Sequence, residues 1–447
     1  MSSTLTRREW MRLSAAGIVG ASMSGWLQNL AAEAAGNKSQ RRSVILLWMS
    51  GGPTQIDTFD VKPDHTNGGP LKPISTSVPG MQFCETLPKL ARQAEHIVPI
   101  RSMSTKEGDH SRGTFHLRTG YRPQGPVHYP TLGSLVSNEL GQDDSKLPNF
   151  VSISPFRNFS PAAYGPGFLG PKRSPLVVAE GGRVLSPDVD ATYEQSLKVR
   201  NLKQPEHVEL SQADRRLTLL NDFDADFQTS RPGVPAGSHE SAYSQAIRMM
   251  RSRAVKAFDL AEEEDSLREA YGKNQFGQGC LLARRLVERG VPFVEVSLNG
   301  VQNNQNFGWD THSNNFESVK TLTSVLDPGW ATLLEDLHLR GLLDSTVVVW
   351  MGEFGRTPRI NGSSGRDHWA QSWTTVLCGG GVQGGQFFGE TTDDGMRVKD
   401  RPVTAADLIA TICKSVGVDP MEQNMSNVGR PIRIADPEAK PITEILA

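Results

Sequence analysis

Residues 309–355, "WDTHSNNFESVKTLTSVLDPGWATLLEDLHLRGLLDSTVVVWMGEFG", decide the fold class. Apolar residues at Phe316, Val319, Leu322, Leu326, Trp330, Leu333, Leu334 and Leu337 follow the spacing of one helix face. Pro328 inside that pattern predicts a bend or a split into two helices. Gly341 stops the pattern, Asp344 marks a turn, and a short unalternating apolar run then ends at Gly352-Glu353. Such a run reads as a strand buried on both faces, as in a parallel sheet. Residues 291–300, "VPFVEVSLNG", supply a second strand of the same kind ahead of the helix. Strand, polar turn, helix, strand is a βαβ unit, which places both polar turns at the carboxyl edge of one sheet, where ligands of open α/β folds bind.

The neighbouring segments extend this reading. "SVILLWMSGGPTQIDTFD", 43–60, opens with an apolar run at 44–49 stopped by Ser-Gly-Gly-Pro, another buried strand. "GQGCLLARRLVERG", 277–290, reads as a helix, and 241–272 has helical composition with no internal Gly or Pro before Gly272. "TTVLCGGGVQGGQ", 374–386, reads as a strand and a glycine turn; Gly379 to Gly381 lack the Gly-Lys-Ser/Thr ending of a phosphate cradle. Thr404 and Asp407 form a capping-box pattern at a closing helix. Between 122 and 240 periodicity fades and Pro, Asn, Ser and Gly accumulate, so this part reads as an ordered loop-rich insertion over a core at 42–447.

The chain has 447 residues, 37% hydrophobic and 21% charged, with a formal net charge of −2. That balance gives no electrostatic footprint for nucleic acid or an anionic membrane. Residues 1–35 carry Arg7-Arg8, a moderately apolar run and small residues at Ala32 and Ala34, the pattern of a twin-arginine export signal. The run is interrupted by Ser, Gly, Trp and Gln, so cleavage is favoured over a retained membrane span, and the mature chain is expected in the periplasm or outside the cell. Cys84, Cys280, Cys378 and Cys413 show no ligand spacing and read as buried thiols, with one or two disulfides as the alternative.

Four polar clusters stand at strand ends or in adjoining loops: Asp57; His110, Ser111, Arg112 and His116 in "GDHSRGTFHLRTG"; Asp310 and His312; and Glu353 with Asp367 and His368. Mixed carboxylate and imidazole groups suit a divalent metal, one or two ions of zinc, manganese or calcium. Each cluster has a structural alternative. Asp310, Thr311 or Ser313 is a helix cap, Asp57 a turn residue, Glu353 a surface partner for Arg356, Asp367-His368 a solvated loop pair, and Asp109 an ordinary cap for a helix starting at His110. In the second cluster His110 and His116 are candidates for ligation or acid–base work, Arg112 for holding a tetrahedral anion, and Ser111 for a nucleophile.

"ILLWMSGGPTQIDTFD", "GDHSRGTFHLRTGY", "NFGWDTHSNNF", "VVVWMGEFGRTP" and "GRDHW", in that order behind the leader, resemble the bacterial family known as domain of unknown function 1501. That family is in turn similar to the alkaline phosphatase and sulfatase superfamily, whose members hydrolyse or transfer phosphate and sulfate esters at one or two metal ions. The resemblance implies an α/β three-layer sandwich with a mostly parallel central sheet and long loop insertions. It also implies metal ligation by Asp310, His312, Glu353 and His368, with Asp367 beside the last and Asp57 a displaced ligand. Ser111, Arg112, Thr119 and Gly120 match a sulfatase segment, but no cysteine stands at the sulfatase nucleophile position. Phe354 replaces the usual histidine after Glu353, and Met49-Ser50 stand where an aspartate is usual.

Two functional readings follow. One is an exported metal-dependent hydrolase whose substrate is an anionic ester, including sulfated or phosphorylated polymers. The other is a non-catalytic envelope binding protein on a degraded phosphatase-like fold. A mutase would need Ser111 or Thr54 as an activated hydroxyl.

Overall fold

A computed structural model describes residues 42–179, 193, 196–199, 202, 207–230, 243–302 and 304–447. The leader at 1–35 and parts of the 122–240 insertion lie outside them. Arg42–Ala447 form one compact unit.

Seven strands make the central sheet: β1 (Ser43–Met49), β2 (Ile97–Met103), β3 (Phe150–Ile153), β4 (Leu176–Val178), β5 (Phe293–Leu298), β6 (Thr346–Met351) and β7 (Trp373–Cys378). Their order across the sheet is β2-β7-β6-β1-β5-β3-β4. β1 runs parallel to both β5 and β6, and β3 runs parallel to β4 and β5. β7 is antiparallel to β6 and β2, so it alone runs against the others. All seven residues of β1 are buried. Ile45, Leu47 and Met49 join one apolar cluster, and Val44, Leu46 and Trp48 join another on the opposite face. That division explains the unalternating run, because both sheet faces are covered.

On one face lie α3 (Gln275–Glu288) and α4 (Asn315–Leu339); on the other lie α1 (His110–Thr119), α2 (Leu132–Leu140) and α5 (Ala405–Ser415). The result is the three-layer α/β sandwich with a mostly parallel sheet. The Thr404–Asp407 capping box is present at α5. All four cysteines are buried and free. Gly379, Gly380 and Gly381 take positive φ in a turn after β7, at the edge of the sheet opposite the polar clusters.

Three expectations are corrected. Of the bend or split expected at Pro328, the split does not occur, since α4 runs unbroken from Asn315 to Leu339. Val319, Leu322, Leu326, Trp330, Leu333 and Leu334 are fully buried along it, and that packing outweighs one lost hydrogen bond. Asp327, just before the proline, accepts from the Lys89 and Leu90 amides at 3.0 and 2.8 Å, capping the short helix Pro88–Arg92. The helical pattern at 241–272 breaks after residue 250 into 3-10 turns at Arg253–Phe258 and Leu260–Glu262 before Asp265–Tyr271. Ser252 and Asp259 cap those turns, while Arg285 of α3 takes the carbonyls of Lys256 and Ala257. The loop-rich stretch contributes α2, β3 and β4 to the sandwich itself, its strands being only four and three residues long.

Candidate metal centre

The sheet order determines which polar residues meet. β2, β6, β1 and β5 all end at one edge, and the antiparallel β7 begins there. His110 follows β2, Glu353 follows β6, Gly51 follows β1, Asp310 and His312 follow β5, and His368 precedes β7. Residues as far apart in the chain as His110 and His368 therefore come together.

The point of convergence is Asp310 Oδ1. His110 Nε2 lies 3.3 Å from it, His312 Nε2 3.1 Å and His368 Nε2 3.2 Å. His312 Nε2 and His368 Nε2 are 3.0 Å apart. His110, Asp310 and His368 each offer a ligand atom within 4.8 Å of the other two.

Each imidazole is held by its other nitrogen. His110 Nδ1 sits 2.7 Å from Glu353 Oε1, His312 Nδ1 2.8 Å from Asp367 Oδ1, and His368 Nδ1 2.9 Å from the Gly108 carbonyl. These partners accept hydrogen bonds, so in neutral rings the protons belong on Nδ1 and the Nε2 lone pairs point at one another and at a carboxylate. Converging lone pairs repel unless a cation or a proton sits among them. His110 Nε2 is buried and, despite its 3.3 Å approach, not aligned for a hydrogen bond to Asp310. A carboxylate or carbonyl behind each imidazole is the usual support of a metal-ligating histidine.

Electrostatics point the same way. Burial alone would lower the His110 pKa, but Asp310 and Glu353 outweigh it and carry it up to about 9. Burial would raise Asp310, yet His110, His368 and Arg356 hold it well below the usual carboxylate range. The cluster is built to stabilise positive charge.

Local backbone makes this possible. Gly51 has φ +107, and a Cβ there would meet the Asp310 amide at 2.4 Å. Its own amide donates to Glu353 Oε1 at 2.9 Å. Arg356, fully buried, donates to Asp310 Oδ1 at 2.5 Å and to the carbonyls of Gly51, Gly52 and Arg366. A two-residue ribbon, Gly355–Arg356 paired with His368–Trp369, ties these pieces together. Helix α1 is anchored from below: Arg118 donates to Glu295 of β5, both buried, and its guanidinium lies 3.8 Å from the Tyr164 ring centroid.

Several expected roles change. Asp310, Thr311 and Ser313 do not cap α4. Its N-cap is Asn314 without a side-chain bond, and the amides of Asn314 and Asn315 take the carbonyls of Ser363 and Ser364. Glu353 is buried and Asp367 exposed; both hold imidazoles rather than facing the centre, and Glu353 is not paired with Arg356. Asp57 stands apart with its oxygens occupied by Arg366, Thr54 and Asn315, so it is a structural counter-charge. Ser111 is exposed, and Arg112 is 60% exposed and bonded to Glu107, so neither is held toward the cluster. Asp109 does cap α1, accepting from the Arg112 amide at 3.1 Å. The sequence offered Arg356 only as a partner of Glu353, and nothing in it singled out the Gly108 carbonyl.

His116 lies farther along α1, buried, with Nδ1 unpaired. Burial, with Arg122 nearby, pushes its pKa down to about 4. Folding thus keeps the ring neutral, and the unfolded chain takes up the proton first as pH falls below about 6.5. Stability from this group is complete above that value and is lost between about 6.5 and 4. His116→Leu is expected to flatten the acid limb of a denaturation profile by about 2–3 kcal/mol across that window; an unchanged limb refutes a buried neutral ring.

No protein of curated function matches the chain in sequence. Solved structures similar to it include a protein in the alkaline phosphatase superfamily from Vibrio parahaemolyticus, at 11% identity and TM-score 0.40, over 85% of this chain and 67% of that one. A sulfatase from Pseudoalteromonas sp. is similar at 12% identity and TM-score 0.36, over 88% and 70%. The C-terminal periplasmic domain of EcEptC from Escherichia coli, in complex with Zn, is similar at 9% identity and TM-score 0.37, over 90% and 87%. No helix among the described residues is long and apolar enough to cross a membrane. The family model described as protein of unknown function (DUF1501) matches residues 41–446, and the chain belongs to that family.

Proposed function

We propose that the chain is a metal-dependent hydrolase of phosphate or sulfate esters that holds one divalent ion through His110, His312 and His368 Nε2 and Asp310 Oδ1. The observation that supports this is metrical. Bonds of about 2.0–2.2 Å to a tetrahedral zinc ion put neighbouring ligand atoms roughly 3.3 Å apart. Four of the six ligand separations here are 3.3, 3.1, 3.2 and 3.0 Å. Three imidazoles favour zinc over calcium, which takes oxygen ligands. Phe354 is buried with its ring centroid 5.0 Å from that of His110 and 4.6 Å from that of His368, filling space a second ion's ligand would need.

A divalent ion at this position supplies a Lewis acid for an ester oxygen and a route from water to a nucleophile near neutral pH. Glu353, Asp367 and the Gly108 carbonyl keep the Nε2 lone pairs aimed inward. Arg356 orients Asp310 and, with its other bonds made to backbone, is not free to touch substrate. His312 and His368 are 45% and 25% exposed, so ester and water enter from their side. The Arg7-Arg8 leader supports export of the mature chain.

One feature favours a second reading. Four protein donors can complete a tetrahedron, as in structural sites, and among the described residues the two candidate hydroxyls are not held beside them: Ser111 is exposed and Thr54 donates to Asp57. That would suit a non-catalytic envelope protein.

Elemental mass spectrometry on protein purified without chelator is expected to find one equivalent of zinc or manganese, and none in His312→Ala/His368→Ala. Chelated protein should regain hydrolysis of 4-nitrophenyl phosphate or sulfate on adding the metal. Metal without hydrolysis of any ester in a panel supports the second reading. No metal in folded protein overturns the hydrolase and favours the non-catalytic binding protein.

A further inference from the structure

Trp369 directly follows the proposed ligand His368, and consecutive residues of a strand point to opposite faces. On Trp369's side of the ribbon opens a cleft of ≈ 540 Å³, lined by Trp369 together with His65, Arg359, Asp393, Asp394 and Arg397 among others. Its volume falls within the range of small-molecule sites.

The lining is specific in character. The half-buried Trp369 indole is locked, because its Nε1–H donates to Ser372 Oγ at 3.0 Å and Ser372 Oγ donates to the Gly395 carbonyl at 2.7 Å. A fixed aromatic face costs little entropy when a ligand covers it. The Arg359 and Arg397 guanidinium groups have no hydrogen-bond or ion-pair partner among the described residues, although two aspartates line the same cleft. Asp394 is engaged internally, accepting from Thr392 Oγ1 at 2.5 Å and the Met396 amide at 3.0 Å. His65 Nδ1 accepts from the Asn67 amide, which leaves Nε2–H as a donor.

An apolar ring face, two unpaired forked cations and an exposed carboxylate match one ligand chemistry. A pyranose presents C–H groups to an indole and hydroxyls to a carboxylate, and a sulfate or phosphate substituent accepts two N–H bonds from a guanidinium. A plain polyanion would be repelled by Asp393 and Asp394. We propose that this cleft binds a saccharide unit carrying a sulfate or phosphate substituent, with Trp369 beneath the ring and Arg359 and Arg397 on the anion. That this unit belongs to the same polymer as the ester at the metal centre rests on the hydrolase reading; the binding itself does not.

The test is calorimetric titration of the full chain with sulfated, phosphorylated and unsubstituted oligosaccharides of equal length, in chelator, so that no turnover is needed. At least one anionic oligosaccharide should bind, the better of the two identifying the substituent. Trp369→Ala and Arg359→Ala/Arg397→Ala should each weaken it at least tenfold, and Lys320→Ala, exposed on α4 and paired with Glu317, should leave it unchanged. The arginine pair is exposed, so its variant is informative even if Trp369→Ala fails to fold. Absence of binding, equal binding by the arginine variant, or equal binding of the unsubstituted sugar or of inorganic polyphosphate would overturn the proposal. Binding that survives while no ester is hydrolysed would remove the hydrolase reading and leave the cleft.

Discussion

Asp310→Ala is expected to lose the metal and also to destabilise the metal-free protein, whereas His312→Ala should do only the first. The difference lies in what each side chain leaves behind. Arg356 is fully buried, and Asp310 is the carboxylate that its guanidinium contacts, at 2.5 Å. Burial pushes the Arg356 pKa down and Asp310 is the chief influence opposing it. Without that carboxylate the remaining partners are carbonyls of Gly51, Gly52 and Arg366, which satisfy N–H groups but not the charge. Orphaning one member of a fully buried pair costs about 3–5 kcal/mol, and about 2–4 is expected here because a quarter of Asp310 is exposed. His312 is nearly half exposed and hangs from Asp367 and Asp310 at the rim, so its loss should change metal-free stability by less than about 1 kcal/mol. Both variants should weaken zinc binding by more than about 100-fold, beyond the effect of losing a supporting group. Urea unfolding in chelator and competitive zinc titration separate the two effects. An Asp310→Ala protein as stable as the parent without metal would show that Asp310 is not the counter-charge of Arg356.

The contrast explains what could and could not be read along the chain. Strands were legible wherever burial on both faces made them continuous, as at Val44–Met49 and Val347–Met351. β3 and β4 were not, because four- and three-residue strands among Pro, Ser and Asn carry no period. Candidate residues could be picked by type, since His110, Asp310, His312 and His368 are polar groups next to strand ends. Their division of labour could not, because whether a carboxylate faces the centre or holds an imidazole from behind depends on rotamer and distance. Glu353 and Asp310 look alike in sequence, yet one carboxylate sits behind His110 and the other faces three imidazoles. The antiparallel course of β7 brings His368 to the carboxyl edge, and no local pattern in 368–378 announces that direction.

Asp57→Ala should be the most destabilising of the carboxylate changes while leaving one equivalent of metal bound. Asp57 and Arg366 are both fully buried, joined through Nε at 2.7 Å and Nη2 at 3.0 Å. The same carboxylate accepts from Thr54 Oγ1 and Asn315 Nδ2, each at 2.8 Å. Alanine leaves one charge and two polar groups without their partner, and about 3–5 kcal/mol is expected from the charge alone. Arg366 also carries the loop that meets the metal cluster: its amide donates to the Thr311 carbonyl, and Asp367 and His368 follow it in the chain. Loosening that loop should weaken metal affinity modestly while stoichiometry at saturating zinc stays at one, which distinguishes a supporting residue from a ligand. A stable Asp57→Ala protein that binds no zinc would restore Asp57 to the ligand set. Asp57→Leu/Arg366→Met should recover much of the lost stability, because the cost comes from the orphaned charge more than from the missing hydrogen bonds.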